Sequence, residues 1–223
     1  MLRVVPLLMF AAAAAPLGAQ PSHVALTGTI NNGVYVSPTG AFQIEIPVLP
    51  ALGGSVHDTA SVVTFQDSFG LQITVGAFPQ DATLKWEFST RGTKDYLVYF
   101  FSTYVLPDFK QFCVGTSIES ARFAPDFVDG TLFTYILMPG GSVVQPERVF
   151  GDVGAPPVAK RGNALFVHNG FTFVISTELS ERVTEGSRYS KTTEQEDQLL
   201  RARLVDVVKR MSFIKPALPK PAP

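Results

Sequence analysis

The residues with which this chain could do acid–base, nucleophilic or metal chemistry are few: His23, His57, His168 and a single cysteine, Cys113. His57 is followed by Asp58, and a carboxylate that orients an imidazole, with a serine beside it, would make a hydrolytic centre. Adjacent residues seldom face each other, however, and no Gly-x-Ser-x-Gly elbow is present to present the serine. His23 falls in a polar lead-in, and His168 at a turn where a solvated ring is expected. Scattered histidines and one cysteine lack zinc-ligand spacing. Asp126 and Asp129 before Gly130 could touch calcium, but an Asp-Gly turn explains them as well. No glycine-rich phosphate loop occurs. Cys113, between Phe112 and Val114, reads as a buried small hydrophobe. No catalytic residue, cofactor or metal is expected, and a hydrolase is the weakest of the functional readings.

Two features could serve binding instead. Arg148, Lys160 and Arg161 lie in Pro139–Gly162, a Gly/Pro-rich stretch that reads as a long surface loop, and they would make a docking patch for an acidic partner or only a solvated loop. Tyr96, Phe100, Phe101 and Tyr104 recur by threes and fours, so they share one helical face. That face is core, or a groove for a small apolar ligand.

These residues need elements to hold them. Phe42, Ile44 and Ile46 alternate with Gln43 and Glu45 in a half-buried strand pattern that follows a short strand and a turn at Pro38 and Gly40. Leu49 to Thr59 reads as a loop, and residues 61–65 and 70–78 as a hairpin. A helix is expected over Thr93–Leu106, with Thr93 or Asp95 as cap and Pro107 as stop. Strands follow at 112–123, 130–138, 164–169 and 171–177, the last two joined at His168-Asn169-Gly170, a strong hairpin signal. Thr193–Glu196 has capping-box spacing, and Leu200, Leu204, Val207, Val208 and Met211 line one face of a terminal helix over Thr193–Met211. The class is α+β, an antiparallel sheet covered by two helices in an α/β/α-sandwich-like arrangement.

Residues 1–19 carry Arg3, an apolar run and a small-residue exit at Pro16-Leu17-Gly18-Ala19, the pattern of a cleavable secretory signal; a retained anchor is the alternative. Residues 20–32 read as a flexible lead-in or edge strand, 33–214 as a single domain, and 215–223 as a proline-rich tail that cannot pack. One cysteine allows no internal disulfide, so the core must hold the fold. With Lys+Arg 18 against Asp+Glu 19, the formal charge of −1 gives no net field to recruit nucleic acid or an anionic membrane.

Tyr35, Ser37-Pro38, Gly40, Phe42 and Ile46-Pro47 form a Y-x-S-P-x-G-x-F-x-x-x-I-P opening, and the last helix closes on Met211-Ser212-Phe213. In these residues, and in element order over Val34 to Phe213, the chain resembles the PsbP-like family of extrinsic photosystem II proteins and their bacterial relatives. It departs from that pattern in a glycine-rich loop after Pro47 and in the long Pro139–Gly162 stretch. The resemblance implies a non-enzymatic accessory role at a membrane complex and no active site. The leading expectation is therefore an exported periplasmic or extracellular accessory protein that docks on an envelope partner, with a carrier of a small apolar ligand as the alternative.

Overall fold

The computed structural model describes residues 26–142 and 157–214. The signal segment, residues 20–25 of the lead-in (His23 among them), Arg148 and the proline-rich tail lie outside the described residues.

Alternation in the strands decides which side of each sheet is apolar. A small antiparallel sheet, ordered β1-β2-β3-β11, contains β1 (Thr29–Asn31), β2 (Val34–Val36), β3 (Phe42–Glu45) and β11 (Met211–Phe213). The β2–β3 turn explains the family-like opening. The Ser37 N–H donates to the Phe42 carbonyl at 3.0 Å, Ser37 Oγ accepts from the Phe42 N–H at 3.3 Å, and Gly40 takes the left-handed φ of 67°.

The large sheet is antiparallel throughout, in the order β4-β5-β6-β10-β9-β8-β7. Its strands are β4 (Ser55–Asp58), β5 (Val62–Gln66), β6 (Gln72–Pro79), β7 (Ser117–Ala124), β8 (Thr131–Pro139), β9 (Val158–His168) and β10 (Phe171–Glu178). As expected, β9 and β10 turn at Asn169-Gly170, both left-handed.

Each face of this sheet carries its own core. One core joins Phe65, Phe133, Phe166 and Phe173 to Phe42 and Ile44 of the small sheet and to Leu200 and Leu204 of helix α5 (Thr193–Lys209). The other packs Leu132, Ile136, Leu165 and Val174 beneath helices α1 (Ala82–Arg91), α2 (Thr93–Phe100) and α3 (Leu106–Phe112). A short helix α4 (Glu181–Thr184) follows β10. The class is α+β, with the large sheet as the middle layer.

Several elements differ from the sequence reading. The expected loop from Leu49 contains strand β4. Helix α1 was not expected: it buries no residue fully, so Leu84 and Phe88 leave only a narrow stripe. Pro107 does not stop the helix. A π-helical stretch at Phe101–Val105 already shifts the hydrogen-bond ladder, with the Leu106 N–H donating to Phe101, and Pro107 then occupies the first turn of α3, where a missing donor costs little. Cys113 caps α3, β7 begins only at Ser117, and β9 begins at Val158. The cap of α5 is Thr192, in a reciprocal capping box with Gln195, and Met211 belongs to β11.

Phe173 has no exposed surface and lies 5.1 Å from the ring centres of both Phe166 and Phe213 and 6.1 Å from that of Phe42, so it joins the two sheets. Phe173→Ala should cost about 3–5 kcal/mol, read as a lowered urea midpoint.

Candidate binding surface

Lys160 and Arg161 are strand residues, and this corrects their placement on a surface loop: both side chains are buried, Lys160 with no exposed surface. Being consecutive in β9, they point to opposite faces of the sheet. Lys160 faces α5 and pairs with Glu119 of β7, with Glu196 at 3.0 Å and with Asp197 at 2.7 Å. Glu196 also receives Arg182 at 2.6 Å, and the Ser120 hydroxyl donates to Asp197 at 2.7 Å. Arg161 faces the other side and pairs with Gln72 and, at 3.5 Å, with Glu178, its cross-strand neighbour; the Ser142 hydroxyl donates to Glu178 at 2.5 Å.

Burial opposes the charge of each of these groups, and the outcome differs. For Glu196 burial pushes the pKa up, but the hydrogen bond from Lys160 and the charges of Lys160 and Arg182 outweigh it and hold the carboxyl below its ordinary value. For Lys160 burial pushes down, and the hydrogen bonds to Asp197, Glu119 and Glu196 carry the net shift upward. For Arg161 burial prevails over the Glu178 charge, and the shift is downward.

A polar row that the sequence reading missed crosses the helix-side face of the sheet. Thr134, Asn163, Ser176, Thr74, Thr64 and His57 stand directly opposite one another on six successive strands. Period-two counting assigns each to a face, but only the pairing register aligns them. His57 and Asp58 are consecutive in β4 and therefore point apart. Asp58 accepts from the Thr27 N–H at 2.9 Å, the Gly28 N–H at 2.7 Å and the Tyr35 hydroxyl at 2.8 Å, so it fastens the small sheet to the edge of the large one. Burial, reinforced by Asp58, pushes the Tyr35 hydroxyl far above its ordinary pKa.

The remaining candidates fall to structural roles. His168 Nδ1 lies 2.7 Å from an Asp129 oxygen and its ring 4.8 Å from that of Phe213. Asp129 itself is left-handed beside Gly130, as a tight turn requires. The Cys113 thiol donates to the Pro139 carbonyl at 2.8 Å. Among the described residues no group of three or more His, Cys, Asp or Glu is placed to hold a metal. Tyr96, Phe100 and Phe101 are buried against the sheet, which spends that aromatic face on packing. A groove of about 420 Å³ lies between the outer face of the small sheet and the end of α5, lined by Gln43, Glu45, Asp206, Lys209 and Arg210 among others.

Both end strands of the large sheet, β4 and β7, pair on one side only among the described residues. Strand β7 pairs with β8 alone among the described residues, so its other side carries free N–H and C=O groups. Beside its start, Phe112, Val114 and Ile118 are 54%, 88% and 45% exposed. Glu119 is skipped in the β7–β8 register, and that bulge turns it toward Lys160. The described helices include none long and apolar enough to cross a membrane.

No protein-family model matches the sequence, and no curated protein matches it. Among solved structures the chain is similar to the Ran-binding protein Mog1p of Saccharomyces cerevisiae, at 10% identity, 83% of this chain, 96% of that one and a TM-score of 0.45. It is also similar to cyanobacterial PsbP (CyanoP) from Synechocystis sp. PCC 6803, at 14% identity, 90% of this chain, 100% of that one and a TM-score of 0.46. With TM-scores under 0.5, neither likeness assigns this chain a function.

The Lys160 cluster makes stability depend on pH at both ends. The lowered carboxyl of Glu196 contributes stability that is full above the ordinary value of 4.5 and lost as pH falls through the folded value. The raised ammonium of Lys160 contributes stability that is full below the ordinary 10.5 and lost as pH rises through the folded value. Glu196→Gln should flatten the acid limb of a stability–pH curve. Lys160→Met, which strands the carboxylates, should cost about 3–5 kcal/mol at neutral pH by chemical denaturation. That cost should shrink as acid neutralises them.

Proposed function

We propose that this chain is an exported, non-enzymatic accessory protein that docks on a protein of an envelope or membrane complex. The observation that carries the reading is the β7 end of the large sheet, where an edge strand that pairs on one side only among the described residues begins beside the exposed apolar residues Phe112, Val114 and Ile118. Free strand edges and apolar patches are surfaces that partners cover. The export pattern of residues 1–19 and the PsbP-like opening motif support the compartment and the class. Arg148 remains in the proposal as a docking residue. Lys160 enters it indirectly, by holding the Glu119 bulge that shapes the edge, and Arg161 by anchoring the same strand from the opposite face.

The test is isolation of the tagged mature protein from its source envelope after mild cross-linking, in parallel with the double variant Phe112→Asp, Val114→Asp. The expected result is a stoichiometric partner that the double variant loses while its circular dichroism is unchanged. Recovery of the protein alone, or a partner held equally by both forms, would contradict the proposal.

A further inference from the structure

We infer that the β7 edge accepts an extended acidic segment of a protein partner, added as a further strand alongside Ser120–Ala124; this rests on the accessory reading above and names the partner's chemistry. After the Glu119 bulge, the register of β7 with β8 is regular from Ser120 to Ala124, long enough to template a short strand on its free side. The opposite edge of the sheet differs. Strand β4 is four residues long, and its last residue, Asp58, is spent on the small sheet.

The charge beside β7 selects the occupant. Arg122 stands directly opposite Phe133 in the β7–β8 register, and the Arg201 guanidinium of α5 lies 5.1 Å from the centre of the same Phe133 ring. Arg122 and Arg201 thus lie on the same α5-side face of the sheet beside this edge. Neither forms an ion pair among the described residues, whereas Arg91, Arg161, Arg182, Arg203 and Arg210 each do. On the helix side the same stretch offers Ala121 and Phe123, the latter packed against the apolar core there. A strand laid against β7 would place alternate side chains on these two faces. Carboxylates would meet Arg122 and Arg201, and apolar side chains would meet Ala121 and Phe123. Arginine and carboxylate pair bidentately, which favours such a segment over a neutral one.

The experiment titrates the mature protein with a seven-residue end-capped peptide of alternating glutamate and valine, following backbone amide shifts. Controls are the same peptide with lysine for glutamate, and the glutamate peptide with alternate amides N-methylated. Shifts centred on Ser117–Ala124, with at least tenfold weaker binding by both controls and by the Arg122→Glu protein, are expected. Equal binding of the acidic and basic peptides, no binding of either, or shifts centred elsewhere would overturn the inference. If the envelope partner is captured and lost in the Phe112, Val114 double variant while the peptides fail here, the accessory reading stands and the acidic strand does not.

Discussion

A wholly buried ammonium is the constraint around which this molecule is arranged. Lys160 has no exposed surface, and a charge so placed is tolerable only when it is paired and hydrogen-bonded. Its partners come from two elements far apart in sequence, Glu119 on the edge strand and Glu196 with Asp197 on the last helix. Meeting the requirement therefore fixes three things together. It sets the height of β9 in the sheet, the position of the first turns of α5, and the bulge that draws Glu119 out of the β7 register. The Arg182–Glu196 pair extends the same network to α4.

Strand alternation then converts one position into two anchors. Lys160 ties β9 to the α5 side, and Arg161 ties it through Glu178 and Gln72 to the strands of the helix side. The apolar cores lie beyond these anchors on their respective faces, with the Phe166–Phe173 pair below α5 and Tyr96 to Phe109 above Leu165. The ionic groups add little to net stability compared with well-packed apolar substitutes, but each charge left without its partner is strongly unfavourable. They act as registry marks that admit one arrangement of β7, β9 and α5. The open edge of β7 inherits its shape from that arrangement.

How much of this could be read in the chain depends on whether the signal was local. The alternation of Phe42 and Ile44, the Asn169-Gly170 turn and the apolar stripe of α5 are local patterns, and each appears where the sequence places it. Composition misled at Pro139–Gly162, where Gly162 counted as a loop residue. Its real role is close approach: a Cβ there would lie 3.0 Å from Leu200 Cβ and 3.2 Å from Leu204 Cδ1, so any larger residue would press these leucines back by a few tenths of an ångström. That error carried Lys160 and Arg161 to the surface with it. Helix α1 was missed because an element that buries no residue writes only a faint stripe. The polar row from Thr134 to His57, and the placing of Arg122 and Arg201 on one face of the β7 edge, exist only once strands are in register and a helix is docked. No reading of spacing along the chain reaches them.

The proposed docking surface is the β7 end of the large sheet, held in shape by the buried Lys160 network. Hydrogen exchange of the protein, measured free and with whatever partner cross-linking captures, is its sharpest test. Amides of Ser117–Ala124 should gain protection on binding while those of β4 at the opposite edge do not change. Protection confined to β4, to the groove beside the end of α5, or absent from β7 would contradict it.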